Sequence, residues 1–131
     1  MMKKITFLLA AITLLLNTSV LAQNSNDCAI VYNLFKGEVQ TKKYDAALPR
    51  LKKLMNDCPD LSVNIYKLGD RLAKDQLKSG GNKDEFIALS KKIYEQRLKY
   101  FPKNAAKVHS DFATFLANEK AGSGDEIFAL L

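Results

Sequence analysis

The stretch LMNDCPDLSVNIYKLGDRLA, residues 54–73, carries an apolar helical stripe into Cys58-Pro59, breaks, and starts a second stripe at once. Leu54 and Met55 close a stripe begun by Ala47, Leu48 and Leu51, at the three- and four-residue spacing of a buried helix face. Pro59 cannot extend that helix, because its ring removes the N–H and clashes with the preceding turn. Ser62 then offers a side-chain oxygen to cap a new helix, whose apolar positions are Ile65, Leu68, Leu72 and Ala73. A stop and a capped restart within so few residues make a helix–turn–helix unit, and the fold depends on whether that unit recurs.

Outward from this stretch the chain divides into helical lengths. Asp27 is placed to cap a first helix ending near Thr41, and Lys42-Lys43 form a tight turn into the second. Pro49 lies inside the second helix near its start, where a missing N–H costs least. KSGGNKDE (residues 78–85) is a break, followed by a fourth helix from about Asp84 to Tyr100 with Ile87, Leu89, Ile93, Tyr94 and Leu98. Pro102 closes it, and the fifth helix carries Val108, Phe112, Phe115 and Leu116. AGSG (residues 121–124) is a further break before DEIFALL begins a sixth. No segment sustains the two-residue alternation of a strand. The expected fold is all-α, with antiparallel helix–turn–helix repeats stacked as a short α-solenoid of about five helices and the start of a sixth.

The spacing recurs. Val31, Ile65 and Val108 open successive first helices, 34 and then 43 residues apart, and Pro59 and Pro102 are also 43 apart. The extra nine residues are assigned to the turn between the third and fourth helices, around SGGNKDE. The first-helix pattern reads Ile65-x₂-Leu68-Gly69-x₂-Leu72. The second-helix pattern reads Ala47-x₃-Leu51 before Pro59, and Ser90-x₃-Tyr94 before Pro102. Small residues at 47, 69 and 90 allow close approach of two helices, while the large ones fill the space between them. These motifs resemble the tetratricopeptide repeat in a divergent form, with aliphatic residues in place of its aromatic pair. Phe35 stands where the small glycine is usual, and Asp111-Phe112 where Leu-Gly is usual. The units run over about 28–61, 62–104 and 105–131, the last incomplete.

Residues 1–22, MMKKITFLLAAITLLLNTSVLA, have the three parts of a secretory signal peptide. Lys3 and Lys4 supply the positive start, Ile5 to Leu16 the apolar core, and Val20-Leu21-Ala22 the small-residue exit. The bacterial lipoprotein pattern is missing, since no cysteine directly follows Ala22 and Cys28 lies too far along. Cleavage leaves a polar lead-in (23–27), a chain that is periplasmic or extracellular, and no membrane segment. The intact chain has a formal charge of +6, reduced to +4 without Lys3 and Lys4 and spread along the sequence. Dispersed charge of this size neutralises few phosphates and argues against a nucleic-acid partner.

In an antiparallel hairpin, residues equidistant from the turn lie side by side. Cys28 and Cys58 are equidistant from Lys43, in the first turn. They form either a disulfide across the first unit or two buried free thiols; export and symmetry favour the bridge.

Little points to catalysis. His109 is the only histidine, no cysteine is spare if the two pair, and no residue set calls for a metal or other cofactor. The resemblance instead implies a concave face lined by the first helices. There Tyr32, Tyr66 and His109 form one row, and Lys36, Asp70 and Ala113 another. Such a row suits a peptide or a sugar. The function expected is a non-enzymatic, exported protein-interaction scaffold with a protein or peptide partner. The runner-up is an accessory region of a larger cell-envelope enzyme or carbohydrate-uptake complex. The apolar ending suggests a fragment, or self-association through exposed Ile127, Phe128, Leu130 and Leu131.

Overall fold

The computed structural model describes residues 27–131; the expected signal peptide and lead-in residues 23–26 lie outside the described residues. Six helices and no strand are present among them. α1 covers 27–40, α2 Tyr44–Asp57, α3 Val63–Lys78, α4 Lys83–Tyr100, α5 Ala105–Glu119 and α6 Gly124–Ala129. The all-α architecture expected from the sequence is the one observed, with consecutive helices packed as hairpins. Asp27 is itself helical rather than a cap. Lys42, at φ +57°, turns the chain from α1 into α2.

Local chemistry sets the helix ends. Cys58 closes α2, its N–H donating to Leu54 O, and Pro59 prevents continuation. Ser62 Oγ accepts from Asn64 N at the start of α3, at 3.2 Å. Asn82 Oδ1 accepts from Glu85 N at 3.1 Å at the start of α4, where Asp84 and Glu85 complement the positive end of the helix dipole. Ser123 Oγ does the same for α6 through Glu126 N, at 3.1 Å. Pro49 is the sixth residue of α2, beyond the first turn, so Asp45 O loses its usual helical donor.

Of the nine additional residues of the second unit, eight lie in helices and one in the turn, so they are not the loop insertion expected from the sequence. The α1–α2 turn holds three residues and the α3–α4 turn four. From Val31, α1 runs nine residues to its end; from Ile65, α3 runs thirteen. Ala47 is the fourth residue of α2, whereas Ser90 is the eighth of α4. Between these positions and the turn, each arm of the second hairpin is therefore about one turn longer, which returns the same face to the same direction.

One core joins α1 to α4. It contains Phe35, Val39, Ala47, Leu51, Leu54, Ile65, Tyr66, Leu72, Phe86 and Ile93, with Leu48, Leu68 and Leu77 packed against it. A second gathers Tyr94 with Val108, Phe112, Phe115 and Leu116. α4 serves both, offering Phe86, Leu89 and Ile93 to one and Ile87, Tyr94 and Leu98 to the other. Gly69 marks a close approach of α2, α3 and α4: a Cβ there would lie 3.0 Å from Leu51 Cδ1 and 3.2 Å from Ile93 Cδ1. The small residues at 47, 69 and 90 are all buried, as their spacing in the repeat requires.

Cys28 and Cys58 form a disulfide, with their Cα atoms 6.2 Å apart. It joins the start of α1 to the end of α2, opposite the turn. Glu38 on α1 adds an ion pair to Arg50 Nε on α2 at 2.9 Å. Ile127 and Leu130 of the C-terminal segment pack on the second core, which corrects the expectation that all four apolar residues there stand free. Phe128 and Leu131 alone of the four are exposed, at 78% and 81%.

Candidate functional site

The expected row of Tyr32, Tyr66 and His109 does not form an open surface. Tyr66 is fully buried and spends its hydroxyl inside the protein, donating to Pro59 O at 2.6 Å, with Gln96 Oε1 at 3.3 Å. Its ring lies tilted against Phe101, 6.0 Å between centroids. Burial, followed by the nearby Tyr100 and Asp60, pushes its pKa up to about 12. Tyr66 is a pillar at the junction of the first two units because α3 is rotated so that this position meets the 58–62 turn and α4. Tyr32 is half-buried against the first core, its hydroxyl 3.5 Å from Ser62 Oγ. His109 is half-buried, with Nδ1 enclosed and unpartnered, and Ala113 is buried. Lys36 is exposed on α1.

Asp70 belongs to a different arrangement, one turn further along α3. Lys74 Nζ donates to Asp70 Oδ2 at 2.8 Å and to the Tyr94 hydroxyl at 3.1 Å, and stands 5.8 Å from the Tyr94 ring centre. Burial opposes the charge on Lys74. The bonds to Asp70 and Tyr94 outweigh it, so the pKa of the ammonium lies above its ordinary value. Tyr94 is pushed up to about 12, first by burial and then by the charge of Asp70. Its ring stacks on Phe112 at 4.8 Å and tilts against Phe115 at 5.9 Å. A side chain of α4 thus passes under the α3–α5 seam and presents its hydroxyl to Lys74. Asp70 Oδ1 remains buried without a partner.

Above this network a cleft of about 350 Å³ separates α3 from α5, lined by Lys74, Lys78, Asp111, Thr114, Phe115, Asn118 and Glu119. Asp111, Thr114 and Asn118 recur at three and four residues, a polar stripe beside Phe115 that faces α3. Asp111 is held by Lys107 at 2.7 Å. Of the residues expected in the groove, only Asp70 lies at this site, beneath the cleft. Lys74 could have been found by continuing the four-residue step Tyr66–Asp70 once more. Helix periodicity gives the stripe on α5 but does not say which side of α5 turns toward α3, so Asp111, Thr114 and Asn118 went unassigned.

The cleft offers cations, carboxylates, a hydroxyl, an amide and an aromatic edge along two parallel helices, a lining suited to a chain with mixed side chains. Among the described residues no group of three or more His, Cys, Asp and Glu is placed to hold a metal ion. Among them, too, no helix is long and apolar enough to cross a membrane. No protein-family model matches the chain, and neither does any curated protein or solved structure.

Proposed function

We propose that this protein is an exported, non-enzymatic interaction scaffold of divergent tetratricopeptide-like design, and that it receives a segment of a protein partner in the α3–α5 cleft. The observation that carries the reading is the cleft itself. Residues of α3 and α5 line its two sides, a Lys74–Asp70–Tyr94 network fixes its floor, and Lys78, Thr114, Asn118 and Glu119 leave hydrogen-bonding groups at its sides. A floor locked by hydrogen bonds reduces the ordering cost of binding. Export is supported by the leader-like residues 1–22 and by a disulfide suited to an oxidising compartment. A scaffold is supported further by the cysteines, which are bonded to each other and so offer no nucleophile.

Photo-crosslinking tests the reading. A photoreactive residue replacing Thr114 in the natively exported protein is expected to give one discrete protein adduct. The same residue replacing Lys92, on the exposed side of α4, is expected to give none. Equal adducts from both positions, or none from either, overturn the cleft as the partner site.

A further inference from the structure

The chain exposes five large apolar side chains among the described residues: Ile30, Leu34, Leu61, Phe128 and Leu131. Four of them lie at the two ends of the helical stack. Ile30 and Leu34, 58% and 46% exposed, are one turn apart on the outer face of α1, and Phe128 and Leu131 project from the α6 end.

The repeat explains what those positions do inside the molecule. Leu34 is 34 residues before Leu68, and Leu68 packs against the first core. Two turns beyond Leu68 on the same face of α3, Asp75 accepts the hydroxyl hydrogen of Tyr44 from α2. This face of a first helix therefore looks back at the preceding unit. The third unit follows the same rule: Asp111, 43 residues after Leu68, faces Lys74 and Lys78 of α3 across the cleft. Among the described residues, no helix covers the corresponding face of α1.

The other end is complementary. Phe128 is the fifth residue of α6, as Leu48 is of α2, and Leu131 lies two residues beyond the end of α6. Leu48 packs on the first core, and Leu51 meets Gly69 of the next unit. The α6 end thus presents exposed apolar side chains at the end of a second helix, and α1 presents the face by which a first helix receives one.

We propose that a second copy of this chain occupies the α1 face, stacking head to tail so that Phe128 and Leu131 of one copy lie on Ile30 and Leu34 of the next. The contact continues the unit–unit interface already present between the first and second hairpins. It is heterologous, so each copy retains one free end, and growth continues unless a ring closes. This inference stands apart from the cleft reading, which concerns a different surface.

Sedimentation velocity on the natively exported protein, over a wide dilution series, tests it with Leu34→Glu and Phe128→Glu. Both residues are exposed, and circular dichroism identifies any variant that fails to fold. Wild-type protein is expected to form species larger than a monomer, with mass rising with concentration. Each folded variant alone is expected to stay monomeric, and an equal mixture of the two to give a dimer, because one intact end of each kind remains. A wild-type protein monomeric at every concentration overturns the proposal. So does assembly abolished by one variant and untouched by the other, which would mean a symmetric contact. If a glutamate variant misfolds, Leu34→Gln or Phe128→Gln takes its place with the same expected outcomes.

Discussion

The first and second hairpins share a pattern but are stabilised differently. The α1–α2 pair is short, has a three-residue turn, and among the described residues packs on the other helices from one side only. Its open end is held by Cys28–Cys58. The α3–α4 pair is about a turn longer in each arm leading to its turn and has no covalent tie. It is packed between neighbours, with α4 serving both cores. In a linear stack each unit contacts only its neighbours, so a terminal unit lacks one interface. The comparison teaches that a crosslink can take the place of a second packed side: the disulfide is on the hairpin that the described residues pack from one side, and the inner unit depends on side-chain fit at Gly69 and Tyr66.

Removing the disulfide breaks the comparison most severely. Its loop spans 30 residues, and Cys28→Ser with Cys58→Ser is expected to cost about 3–4 kcal/mol in urea unfolding. Native-state hydrogen exchange is expected to show the α1–α2 amides opening before those of α3–α4. Uniform acceleration across both hairpins would mean that the bridge stabilises the whole stack and not its end. Next in size is Gly69→Val, whose added carbons meet Leu51 and Ile93 and are expected to cost about 2 kcal/mol. That loss should appear equally in oxidised and reduced protein, since the disulfide does not relieve it. Smallest is Tyr66→Phe, which removes the donor to Pro59 O and should cost about 1 kcal/mol near neutral pH.

Tyr66 also sharpens the comparison through pH. Its pKa in the folded protein, about 12, lies above the ordinary tyrosine value of about 10, so the folded state holds the proton more tightly. The stability this confers is complete below pH 10 and is lost as the pH rises toward 12. Wild-type protein should therefore lose stability over this window more steeply than Tyr66→Phe, as measured by urea unfolding at several pH values. Parallel curves would mean that the hydroxyl is not shielded at the unit junction.

Much of this was legible in the sequence, for definite reasons. Periodicity placed the helices because each must bury one stripe, and Pro59 and Pro102 marked where second helices stop. The small residues at 47, 69 and 90 were readable as sites of close approach, and the symmetry of Cys28 and Cys58 about Lys43 gave the pairing. The orientation of each helix about its own axis was not legible. It moved Tyr66 from the expected groove into the core and turned Asp111, Thr114 and Asn118 toward α3. Spacing also could not say whether nine extra residues made a longer loop or longer helices, since either preserves the interval between the two packing positions.

That last point bears on how such a hairpin changes in length over evolutionary time. One residue added to one helix would swing every later side chain by about 100° and move core residues into water. Four added to each arm leave the pattern nearly in phase, and α3 and α4 differ from α1 and α2 in this way. Viable arm lengths therefore form a ladder of discrete rungs, one turn apart, and a lineage must alter both arms to climb one. Relatives of this chain should differ in hairpin length by steps of seven to nine residues, and intermediate lengths should be rare because a solitary insertion is penalised before its partner arrives.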